Sequence, residues 1–76
     1  MANFNCEVKE KLGTISKRGI NSIELRYVSW DGKEPAYDIR SWYTDSKGDE
    51  KCTVGVTMSR DNLRQLLDII KNISFA

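Results

Sequence analysis

Two alternating stretches joined by a compact turn do most to limit the folds open to this chain. Residues 22–30 alternate Ile23, Leu25 and Tyr27 with Glu24, Arg26, Val28 and Trp30. Residues 36–43 alternate Tyr37 and Ile39 with Asp38, Arg40 and Trp42. A period of two is the signature of a β-strand, and Asp31-Gly32 followed by Pro35 is turn chemistry. The pair therefore reads as an antiparallel hairpin with one apolar face and one face that mixes charges with aromatic rings. A core requires the first face. It does not require arginine beside tryptophan on the second. Rings set among fixed cations on an open sheet face can stack bases and neutralise phosphates, which points to single-stranded nucleic acid. The competing use of such rings is a dimer seam or a core.

The rest of the chain extends the sheet and then leaves it. Phe4, Cys6 and Val8 alternate with polar residues and read as a first strand. Leu12 to Lys17 reads as a second, with Gly13 marking a bend or bulge. Asp45 to Glu50 is a polar turn, and Cys52, Val54, Val56 and Met58 alternate through a last strand. Ser59 is placed to cap a helix, with Asp61 in the first turn and Lys71 near the end, where each suits the helix dipole. Leu63, Leu66, Leu67, Ile70 and Ile73 recur at helical spacing, and Ile69 widens the stripe. The expected fold is α+β: a curved antiparallel sheet of four to five strands followed by one C-terminal helix. The helix is expected to cover the face of Ile23, Leu25, Tyr27, Tyr37 and Ile39, leaving Arg26, Trp30, Arg40 and Trp42 open.

The register of the hairpin decides what the arginines do. If Trp30 pairs with Ala36, Arg26 falls opposite Arg40, and like charges in that position repel unless an anion lies between them. A slip of two pairs Arg26 with Asp38 instead, giving an ordinary ion pair.

A chain of 76 residues makes a single domain, 1–76. One this short buries only about 60% of its unfolded surface and usually needs a disulfide, a metal or a partner. Its two cysteines, Cys6 and Cys52, are far apart in sequence, and it has no histidine. Structural zinc is therefore unexpected, and no cofactor or metal is expected. What is left is a homodimer, with Leu63, Leu66, Leu67, Ile70 and Ile73 as the interface, since the stripe is wider than one sheet face needs. The N-terminus has neither the basic nor the apolar region of a signal peptide. No apolar run is long enough to span a bilayer. The expected setting is the cytoplasm, with reduced thiols and no membrane.

An enzyme is not expected. No histidine is present to activate a serine, the glycines form no phosphate loop, and the cysteines fall in apolar positions as inert thiols. Asp45, Asp49 and Glu50 lack the order of a calcium loop. The net charge of +1 is too small for a dedicated duplex binder, so a local patch has to carry any affinity. Lys33 in the hairpin turn and Lys51 are candidates for that patch. Lys9, Lys11, Lys17 and Arg18 are candidates for a basic rim, although a charged edge also discourages strand pairing. The rival to nucleic-acid binding is a protein-interaction module in which the same aromatic face docks an acidic partner.

Trp30-Asp31-Gly32-Lys33-Glu34-Pro35-Ala36-Tyr37-Asp38-Ile39-Arg40-Ser41-Trp42 resembles the hairpin of the transcriptional coactivator Positive Cofactor 4 family, most closely its bacterial YdbC-type branch. Asp38-Ile39-Arg40 with nearby aromatics, a turn containing Gly48, and Val54-Gly55-Val56-Thr57-Met58-Ser59 before the helix follow the same pattern. The resemblance covers about residues 22–73. It implies a homodimer joined through helices and neighbouring strands that binds single-stranded or melted DNA across its concave sheet faces; the residues themselves leave DNA and RNA open as alternatives. It implies Trp30 and Trp42 as stacking rings, Arg40 as the central cation, Tyr43 as a second aromatic position and Lys33 as a hairpin cation. Arg26 joins this set by its place on the face. The family lysine usually found beside the glycine at Gly55 is missing, and Lys51 is its candidate replacement.

Overall fold

The computed structural model describes residues 6–75. Four strands are followed by one helix: β1 (Cys6–Arg18), β2 (Asn21–Trp30), β3 (Ala36–Thr44), β4 (Glu50–Met58) and α1 (Arg60–Lys71). The strands form one antiparallel sheet in the order β1-β2-β3-β4, so β1 and β4 are its edges. This is the expected α+β architecture, a curved sheet with a C-terminal helix. Phe4 lies outside the described residues. The two N-terminal strands read from the sequence are one continuous strand. Instead of breaking at Gly13, β1 absorbs extra residues in irregularities between Val8 and Glu10, Lys11 and Gly13, and Thr14 and Ser16. Bulges of this kind bend a strand and increase its twist.

The hairpin takes the second of the two registers. Val28 pairs with Ala36, Arg26 with Asp38 and Glu24 with Arg40. Trp30 does not pair with Ala36, and no two arginines face each other in this ladder. The reason lies in the turn. Asp31 and Gly32 both adopt positive φ, 51° and 75°, and the Lys33 N–H donates to the Trp30 carbonyl at 2.9 Å. The Ser29 hydroxyl donates to the Lys33 carbonyl at 2.6 Å. Trp30 thus ends β2 and opens the turn, paired with Cys6 of β1, and pairing with β3 begins two residues earlier.

Curvature reverses the expected burial. The polar face lies on the inside of the curl. There Val28 and Asp38 are fully buried, and Glu24, Arg26 and Trp42 are nearly so. The apolar face is the more open one. Among the described residues, helix α1 packs most closely on β3 and β4, and Ile23, Val56, Leu67, Ile69 and Ile70 remain exposed. Leu25 and Ile39 from the sheet, with Leu63, Leu66, Leu67 and Ile70 from the helix, line a groove of about 420 Å³. Tyr27 and Tyr37 pack as a tilted pair on this face, with ring centroids 5.0 Å apart.

The helix begins as its sequence directs. The Ser59 side chain accepts the Asn62 N–H, Asp61 lies in the first turn and Lys71 in the last. It ends at Lys71, so Ile73 lies beyond it. Among the described residues, no helix is long and apolar enough to cross a membrane.

Candidate nucleic-acid interface

Alternation along β2 and β3 delivers Glu24, Arg26, Asp38, Arg40 and Trp42 to the inner face, and the ladder sets opposite charges across from one another. Each arginine is fixed by carboxylates and laid against an indole. The Arg26 Nε donates to Glu24 Oε1 at 2.7 Å. Its Nη1 and Nη2 donate to the two oxygens of Glu50 at 3.1 and 2.9 Å. Its Cζ lies 3.9 Å from the centroid of the Trp42 ring. Arg40 repeats the arrangement: Nε and Nη2 donate to the two oxygens of Asp38 at 2.7 and 2.9 Å, and Nη1 donates to the Thr53 carbonyl at 3.0 Å. Its Cζ lies 4.8 Å from the Trp30 ring centroid. The Thr57 hydroxyl also donates to Asp38, at 2.7 Å.

These contacts set the ionisation of the groups. Burial pulls the Arg26 guanidinium down, but hydrogen bonds to Glu50 and Glu24 outweigh it and leave its pKa raised. Asp38 raises Arg40 against a smaller effect of burial. Burial pushes Glu24 up, while the Ser22 hydroxyl and Arg26 bring it below the usual carboxylate range. Arg26 lowers Glu50. Burial raises the Cys6 thiol, and neighbouring Cys52 and Asp38 add to the effect. Both cysteines are free thiols of intermediate exposure.

The backbone of β4 is shaped to this cluster. A Cβ at Gly55 would run into Arg40 Cβ and the Ile39 carbonyl. Only glycine lets β4 pass this close beneath Arg40, and the β3–β4 register shifts between Arg40 and Trp42.

Most of the sequence-derived candidates gather at two clefts. Trp30, Lys33 and Arg40 come together, with Asp31 and Thr57, around a cleft of about 270 Å³. Trp42, Tyr43 and Lys17 come together around a second cleft of about 230 Å³, with Lys11, Glu24 and Glu50 in its lining. Lys51 is exposed and pairs with Tyr43 on β4. Arg18 falls instead by Ile23 and Ser41, away from both clefts. The expectation that Arg26 and Trp42 lie open is corrected: they are 2% and 5% exposed, because the curl closes over them. Sequence reasoning missed Glu24, Asp38 and Glu50 as the groups that hold the arginines, while Lys11, a basic-rim candidate, joins Lys17 at the second cleft. Alternation already placed Glu24 and Asp38 on this face, whereas Glu50 needed the curvature. Among the described residues, no three His, Cys, Asp or Glu side chains gather as a metal site would require.

Residues 16–69, more than half of the chain, match the family described as Transcriptional Coactivator p15 (PC4). The chain is also 37% identical over 73 residues to an uncharacterized protein of Treponema pallidum (strain Nichols), covering 95% of this chain and 82% of that one. It belongs to the PC4 family. That family consists of nucleic-acid-binding, non-enzymatic domains, with binding of single-stranded DNA as the general character.

Proposed function

We propose that the protein binds single-stranded DNA with little sequence preference, as a homodimer, across the inner face of its sheet. The observation that carries this reading is the pair of arginine–tryptophan stacks, Arg40 on Trp30 and Arg26 on Trp42, each beside a cleft edged by lysines. Stacking platforms with cations along a groove hold single strands of any sequence, because every base has a π-face. Trp30, the more exposed of the two indoles, is the leading platform, and Tyr43 extends the second cleft. Lys11, Lys17, Lys33 and Lys51 take phosphates. Arg40 and Arg26, already engaged by carboxylates, serve first to orient the rings. An acidic protein partner would need cations that are free to select it, so the interaction-module reading draws no support from these pairs.

The whole chain, 1–76, acts as one domain in this reading, in a transcription, replication or repair setting in the cytoplasm, in keeping with the YdbC-type branch. The second copy covers the apolar face. Leu63, Leu66, Leu67, Ile70 and Ile73 meet their counterparts there, and two inner faces then serve one longer strand.

A fluorescence titration comparing oligo-dT, a matched duplex and matched RNA tests the proposal. Oligo-dT is expected to bind most tightly, with affinity growing with length up to one site size. The log–log salt slope should be about −0.7 per phosphate neutralised. Equal affinity for duplex and single strand, or no salt dependence, overturns it. Preference for RNA would reassign the ligand within the same face.

A further inference from the structure

Arg26 is held by two carboxylates that differ in kind. Glu24 is its neighbour on β2, and its side chain is 6% exposed. Glu50 opens β4, just after the polar turn, and its side chain is 55% exposed. Glu50 nevertheless takes the outer edge of the guanidinium through two near-parallel bonds, from Nη1 at 3.1 Å and Nη2 at 2.9 Å. That fork suits a phosphate as well as it suits a carboxylate. Glu50 also lines the second cleft, where Lys11, Lys17, Trp42 and Tyr43 meet.

We propose that Glu50 is an internal substitute for a nucleic-acid phosphate, and that Arg26 is a masked phosphate site opened when a strand's phosphodiester displaces it. This rests on the single-strand reading of the inner face. The physical case has three parts. A guanidinium 2% exposed cannot be left without an anion, because an unpaired buried charge is strongly unfavourable. A carboxylate that is mostly exposed gains little from its ion pair and returns readily to water. The cleft next to it already carries two lysines to receive the rest of a phosphodiester and two rings to receive a base. With Glu50 in place, Lys11 and Lys17 are offset by Glu24 and Glu50. With Glu50 displaced, the cleft becomes cationic at the moment a strand arrives. Arg26 thus keeps a partner in both states.

The test compares Glu50→Gln with Asp49→Asn, a matched charge removal one residue away on the exposed turn. Both are measured in the Arg26 and the charge-preserving Arg26→Lys backgrounds. Glu50→Gln is expected to tighten oligo-dT binding about two- to fivefold beyond Asp49→Asn, the range an exposed ion pair is worth. That advantage should vanish with lysine, which has no fork. A second readout leaves Arg26 unaltered: its Nε–H resonance in the unmutated protein, followed during titration with tripolyphosphate and with oligo-dT. Movement with both supports the proposal. Movement with tripolyphosphate, with no binding of oligo-dT, keeps the anion site and removes the single-strand reading. Oligo-dT binding with the resonance unmoved, and Glu50→Gln equal to Asp49→Asn, overturns the proposal and leaves the single-strand reading standing. A resonance that moves with neither ligand overturns it as well.

Discussion

Asp38 and Arg40, two residues apart on β3, form a two-point ion pair whose carboxylate is wholly buried. The pair does two things. It neutralises a charge inside the curl, and it sets the plane of the guanidinium that lies against Trp30. Asp38 also accepts from Thr57 and so ties β3 to β4. Replacing Asp38 by Asn leaves Arg40 without its counter-charge in a buried setting. Breaking a buried pair from one side costs about 3–5 kcal/mol, a large share of the stability of a small domain. Urea unfolding of Asp38→Asn should show a midpoint lowered accordingly. An unchanged midpoint would mean that the pair is not what holds the inner face.

The two tryptophans should separate in their effects. Trp42 is 5% exposed and covered by Arg26, so Trp42→Ala opens a cavity and should cost about 3–5 kcal/mol of stability. Trp30 is more accessible, and Trp30→Ala should cost about 1–3 kcal/mol of oligo-dT binding if it holds one base, with a smaller change in unfolding. Thermal melts beside oligo-dT titrations of both variants check this. Equal losses of stability, with no difference in binding, would contradict it.

Acid should loosen the second stack. Glu24 and Glu50 are both lowered in the folded protein. A carboxylate with a depressed folded value contributes stability that is fully present above its unfolded value, near pH 4.3. That contribution is lost as pH falls from there through the folded value. Stability should therefore be flat in this respect above about pH 5 and should decline below about pH 4. Glu50→Gln should flatten part of the decline. Chemical denaturation at a series of pH values measures it, and a decline of the same steepness in Glu50→Gln would remove Glu50 from the account.

What could be read in the sequence was whatever depends on neighbours in the chain. Alternation gave β2, β3 and β4 and assigned Arg26, Asp38, Arg40 and Trp42 to one face. Ser59 and the leucine stripe gave the helix. Register was not readable because it turns on the φ values of Asp31 and Gly32, which the residue types allow without requiring. The continuity of β1 was hidden because a bulge and a break look alike at Gly13. Burial of the polar face was hidden for a further reason. It depends on curvature built up over the irregularities of β1 and the shift in β4, and no short window contains that sum. Gly55 is the informative exception. Its spacing before the helix was legible, while the reason for it, the close approach of Arg40 across the ladder, appeared only in three dimensions.

Assembly carries the last prediction. The described residues bury only two hydrophobic side chains, Val28 and Trp42, while the helix and the outer sheet face leave Ile23, Val56, Leu67, Ile69 and Ile70 exposed. Leu25, Ile39 and the helix residues Leu63, Leu66, Leu67 and Ile70 line an apolar groove between sheet and helix. A monomer with its polar face inside and its apolar face outside is short of burial, and a second copy set on the apolar face would supply it. Folding and dimerisation should then be coupled, so Tm should rise with protein concentration. Ile70→Asp and Leu67→Asp should each lower Tm and abolish that dependence. Neither residue touches the inner face, so any loss of affinity for a long strand should exceed the loss for a short one, because the joint channel disappears. Sedimentation beside concentration-dependent melts decides the matter. A monomer at micromolar concentration, with a Tm independent of concentration, would show that the apolar face is covered some other way.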